Sequence, residues 1–147
     1  MSKRTRAREC AIQMMYQANI LDADTAGVAG LLWRSMERPS DDVAVFAERL
    51  FAGAYARKDE HDSMIKSFLK DTWTFDRLDE LDICVLRLAL EELFYSDTPS
   101  YAVIDEYVTL SSDFIGEKRA AFVNGLLENV NTTFIGDKMG GKDGKKS

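Results

Sequence analysis

The chain has 147 residues, 46% of them hydrophobic and 30% charged, with a net charge of −6. That length suits one domain able to bury about two thirds of its unfolded surface. Two unpatterned cysteines and one histidine argue against a disulfide framework, a zinc site or a His-dependent catalytic group, and no stretch is long and apolar enough to span a bilayer. The opening MSKRTRARE has no apolar segment of a secretory signal behind it, so a cytoplasmic address is expected.

Charge is unevenly spread. Residues 1–10 carry +3 (Lys3, Arg4, Arg6, Arg8 and Glu9) and residues 138–147 carry another +3, so the body between them carries −12. Local patches, not the total, decide what docks where.

The basic cluster runs into a first helix to about residue 21, with Cys10, Ala11, Met14, Ala18 and Leu21 as its core stripe. Arg4 and Arg8 share another face, edged by Ile12, Tyr16 and Asn19, while Lys3 and Arg6 lie to the side. Four cations at a helix start oppose its dipole, which points to a partner; a plain solvated helix start is the competing reading. Arginine forks suit phosphates, and Tyr16 offers a ring on which an unpaired base can stack.

A weaker second helix occupies 22–39, capped by Asp24 or Thr25 and ended by Pro39. Ser40 caps a third, with Asp41 and Asp42 in its first turn and Val43, Phe46, Ala47, Leu50 and Ala54 facing inward. RKDEHDS (57–63) reads as a break or surface turn, and His61 within it as a surface residue. Met64, Ile65, Phe68 and Leu69 resume the pattern. Trp73 and Phe75 are expected to plug a gap between lobes.

Residues 81–94, LDICVLRLALEELF, are apolar almost all round, which predicts a central buried helix. Asp79 caps it and Asp82 complements its dipole. Only Cys84, Arg87 and Glu91 form a polar strip, where Arg87 and Glu91 can pair at i, i+4. The carboxylates of this region, Glu91 and Glu92 included, read as helix-start or exposed-strip residues. Thr98 with Pro99 starts another helix and Gly116 ends it. A last helix, about 118–133, buries Val123, Leu126, Leu127 and Val130 and shows Lys118, Phe122 and Asn124 on its other side. Gly125 inside it costs about 1 kcal/mol against Ala, a cost that close approach by a helix or ligand would justify. From Gly136 the tail has no apolar period and is expected to be disordered. No strand pattern occurs, so the fold class is all-α with six or seven helices, and no catalytic, metal or cofactor grouping stands out.

RTRARECAIQMMYQ (4–17), LDICVLRLALEEL (81–93), the DTP and AVIDE strings (97–106) and FVNGLLENV (122–130) together resemble the NusB family of bacterial transcription antitermination factors. The resemblance runs in order over nearly the whole chain. It implies two packed three-helix bundles within 1–135, lobes of about 1–75 and 76–135, and a basic tail at 136–147. It implies a non-enzymatic protein without cofactor or metal. Such proteins bind the boxA element of nascent ribosomal RNA with NusE, a small-subunit ribosomal protein, and help RNA polymerase pass terminators. It places RNA at Lys3, Arg4, Arg6, Arg8 and Tyr16 and at Lys118, Phe122 and Asn124, and NusE at Asp82 and Arg87. Thr5 thins the run of arginines found in some relatives, and Lys118–Arg119 adds charge before FVNG. Two other readings compete. One is a protein scaffold whose arginine arm binds an acidic partner. The other is the RNA-binding lobe of a methyltransferase, for whose cofactor domain 147 residues leave no room.

Overall fold

The structure, a computed structural model, describes residues 2–22, 24–70 and 74–136. Among these, seven α-helices follow one another: α1 (Lys3–Leu21), α2 (Thr25–Ser35), α3 (Asp41–Ala56), α4 (Lys58–Ser67), α5 (Glu80–Tyr95), α6 (Ser100–Phe114) and α7 (Glu117–Val130). A 3-10 turn (Phe75–Arg77) precedes α5 and a π turn (Asn131–Ile135) follows α7. Trp73 and residues 137–147, for which a plug and a disordered tail were expected, lie outside the described residues. Phe75 is half-buried against the core.

Local chemistry sets most boundaries. Ser2, Asp24 and Asp79 cap α1, α2 and α5, each side chain accepting a backbone N–H that the helix cannot satisfy internally. Ser40 stands at the start of α3 but spends its hydroxyl on Asp42 instead of the backbone. Pro99 itself occupies the cap of α6, so that helix begins at Ser100, one residue later than expected. Gly116, at φ 120°, supplies the turn between α6 and α7 that a side chain would resist.

Helices α1, α2 and α3 pack together, as do α5, α6 and α7; α4 follows α3 and lies against α5. Helix α5 touches α1, α3 and α4 on one side and α6 and α7 on the other. Every residue from 82 to 93 of it is buried, with Leu86 and Leu90 at 0% exposure and Leu93 at 2%. The predicted polar strip is therefore interior. Cys84 is fully buried, Arg87 and Glu91 are 8% exposed and Glu92 is 2% exposed. What appears on a single helical wheel as a solvent strip is the seam where α1, α3 and α4 meet α5.

Candidate nucleic-acid interface

The start of α1 holds no acid in its first turn. Lys3 is exposed and pairs with exposed Asp42 at 2.9 Å. Arg4 is exposed and lies with its guanidinium carbon 3.9 Å above the centroid of the Phe46 ring on α3. Arg6 is half-exposed and pairs loosely along its own helix with Glu9 at 3.0 Å. Tyr16 is 38% exposed and Ile20 61%. At 100° per residue Arg6 and Tyr16 lie about 80° apart on the outer side of α1, with about 15 Å of rise between them.

Arg8 has a different fate. It shares a side with Arg4, but that side is the packed one, and Arg8 is only 5% exposed. Its Nε and Nη2 donate to the two Glu92 carboxylate oxygens at 2.7 and 2.8 Å, and its Nη1 donates to Glu106 at 3.1 Å. Tyr107 donates its hydroxyl to Glu92 at 2.6 Å, and Thr5 donates to Glu106 at 2.7 Å. Burial alone would lower the pKa of the guanidinium, but the Glu92 hydrogen bonds and charge outweigh it and raise it. Burial and Glu92 together push the Tyr107 phenol far up. Arg8 therefore does not lie off the core: it is half of a buried ion pair joining α1 to α5 and α6. Glu92, read as an exposed carboxylate, is the other half.

On the opposite side of α5 a groove of about 920 Å³ runs between the end of α4, the 3-10 turn and α7. Phe68, Leu69 and Leu126 give it apolar walls, Arg77 and Lys118 basic ones, and Phe122 an aromatic one. Lys118 and Phe122 are thus brought together, whereas exposed Asn124 is not part of the lining. Gly125 lines the groove too, and a Cβ there would meet nothing within 4 Å. No neighbouring helix explains this glycine.

Asp82 also borders the groove, 4% exposed, with one oxygen 3.3 Å from Arg119 Nε and the other without a hydrogen-bond partner. Burial raises its pKa against the pull of Arg119. Asp79 beside it pairs with Arg119 at 2.8 Å and is lowered, chiefly by that hydrogen bond. Asn19, one turn beyond Tyr16 on α1, donates to Glu80 at 3.1 Å. The outer end of α1 therefore reaches the start of α5, where the groove begins.

Arg87 does not pair with Glu91. Its Nε and Nη2 fork onto Asp62 of α4 at 2.7 Å each, and its Nη1 donates to Asn19 at 2.9 Å. Glu91 instead meets His61 Nε2 at 2.8 Å and is held by Arg57. His61, expected at the surface, is 1% exposed because α4 turns that face onto α5. Gly53 of α3 makes room for this cluster: a Cβ there would stand 2.6 Å from a Glu91 oxygen. The thiols are inert partners in all this, since burial raises Cys10 and pushes Cys84 up to about 12.

Sequence reasoning missed Phe46, Asp62, Glu106 and Tyr107 as partners of the basic residues. The one available signal was that Arg87, Glu91 and Glu92 interrupt an otherwise apolar helix, where unpaired charge would be costly.

A model of the NusB family matches residues 5–132. The transcription antitermination protein NusB of Anaeromyxobacter dehalogenans is 36% identical over 129 residues, which are 88% of this chain and 90% of that protein. NusB of T. maritima superposes with a TM-score of 0.78 at 26% identity, covering 98% of this chain and 97% of the other. A chain from the crystal structure of antitermination factors NusB and NusE in complex with dsRNA superposes with a TM-score of 0.82 at 24% identity, covering 91% and 99%, and so shares the fold.

Proposed function

The chain belongs to the NusB family, and on that premise we propose how it acts as a transcription antitermination protein: it binds the boxA element of nascent ribosomal RNA together with NusE. It works by binding, not by catalysis, in the cytoplasm where transcripts emerge, and its complex lets RNA polymerase pass terminators. The observation that carries the RNA side is the outer row of α1. Lys3, Arg4 and Arg6 stand exposed or half-exposed at the start of that helix, with the Tyr16 ring further along it, on a body that is otherwise acidic. Cations there attract phosphate and the ring accepts a base.

The groove beside α7 extends this surface. Lys118 supplies a further charge and Phe122 a further ring, and Asn124 lies exposed on the same helix. Arg8 contributes by holding α1 in place, since its fork is already filled by Glu92. NusE binds around the start of α5. Asp82 offers an unpaired carboxylate oxygen there, and Arg87 fixes the Asn19 and Asp62 surface beside it.

The test is binding of a boxA RNA oligonucleotide with and without NusE, for the wild-type chain and for one carrying Lys3→Ala, Arg4→Ala and Arg6→Ala. Weaker RNA binding with NusE binding unchanged is expected. Unchanged RNA affinity in the presence of NusE would remove the arm from the RNA surface.

A further inference from the structure

Phe46 lies on α3, outside every segment that pointed to RNA. Its ring is half-buried and packed against the core, so its plane is fixed. The Arg4 guanidinium sits 3.9 Å over its centroid, the distance of flat stacking, and the Arg8 guanidinium lies 5.9 Å away on the same ring. Arg8 is tied down by Glu92 and Glu106, whereas Arg4 has no carboxylate partner among the described residues and is exposed. One face of the Arg4 plane is therefore covered and the other is open. Lys3, Arg4, Ala7, Asp42, Val43 and Phe46 surround a shallow cleft of about 120 Å³ at this point. Asp42 holds Lys3 at 2.9 Å and makes the cleft a poor seat for a phosphate. A flat, neutral group suits it better.

Resting on the reading of the α1 arm as an RNA surface, we infer that Phe46 holds Arg4 as a rigid platform on which an unpaired nucleobase stacks. Arginine planes and aromatic rings both stack on bases, and a pre-set plane loses less freedom on binding than a free side chain. Phe46 is then a positioning residue, and Arg4 acts here through its plane as much as through its charge.

The experiment measures the affinity of single-stranded boxA RNA, in the presence of NusE, across a range of salt concentrations. Phe46→Leu should weaken binding about fivefold or more with the salt slope unchanged, because no charge is removed. Phe46→Tyr should restore it. Arg4→Lys keeps the charge and loses the plane, so it should match Phe46→Leu in both affinity and slope; it also carries the test if the leucine variant lowers the melting temperature. Combining Arg4→Lys with Phe46→Leu should add little further loss. Wild-type affinity in Phe46→Leu or in Arg4→Lys, with Arg6→Ala still weakened, overturns the platform and leaves the arm intact. Wild-type affinity in all three overturns both.

Discussion

Arg6 and Arg8 stand two residues apart on one helix and live in different media. Arg6 faces water with a loose partner one turn away. Arg8 is sealed between α1, α5 and α6 with every nitrogen of its fork on a carboxylate. The same division recurs on α5, where Arg87 is locked onto Asp62 while Arg119, facing the groove, bridges two aspartates near the surface. An arginine motif in a sequence therefore mixes two functions. Part of it offers charge to a ligand, and part holds the helix that makes the offer.

The sharpest way to break this comparison is to remove one partner of the buried pair. Arg8→Ala or Glu92→Ala should cost about 3–5 kcal/mol, because the remaining charge is left buried and uncompensated. That is as much as Leu90→Ala, at about 2–5 kcal/mol, for a side chain at the centre of the core. Urea denaturation measures both. Arg6→Ala in the same experiment should shift stability by no more than about 0.5 kcal/mol. If Arg8→Ala proves equally harmless, the buried and exposed arginines are not different in kind.

RNA binding should show the reverse ranking. Removing Lys3, Arg4 and Arg6 together should flatten the salt dependence by up to about 2 units of slope, at about 0.7 per phosphate contact on a single strand. Tyr16→Ala should instead cost about 1–3 kcal/mol of binding with the slope unchanged. Titrations of fluorescent boxA RNA at several salt concentrations separate these outcomes.

The smallest effect is one of sign. Asp79 and Asp82 share Arg119, yet one is lowered and the other raised from the ordinary value of 3.8. A lowered carboxyl adds stability above 3.8 that is lost as pH falls through its folded value. A raised one subtracts stability above its folded value, and that penalty fades as pH falls towards 3.8. Asp82→Asn should therefore compare better with wild type at pH 7 than at pH 4. Asp79→Asn should compare worse at pH 7. Unfolding curves at the two pH values check both directions.

Much of this was legible beforehand. The all-round apolar run at 81–94 is the central helix, and Asp79, Asp24 and Gly116 mark boundaries as their chemistry predicts. The misread residues share one cause. His61, Glu91, Glu92 and Arg8 are polar groups whose partners come from other helices, and a wheel drawn on one helix shows solvent wherever it cannot show a neighbour. Phe46 was read correctly as facing inward, but that reading could not say that Arg4 would lie across its outer face.

The sealing of α5 also sets a clock. Its amides between Ile83 and Leu90 are shielded by helices from both ends of the chain, so no local fraying exposes them. In deuterated water they should exchange only when the whole fold opens, at one common rate, long after those of the α1 start have been replaced. The part of the molecule that meets RNA can then loosen and re-form many times within a single lifetime of its centre.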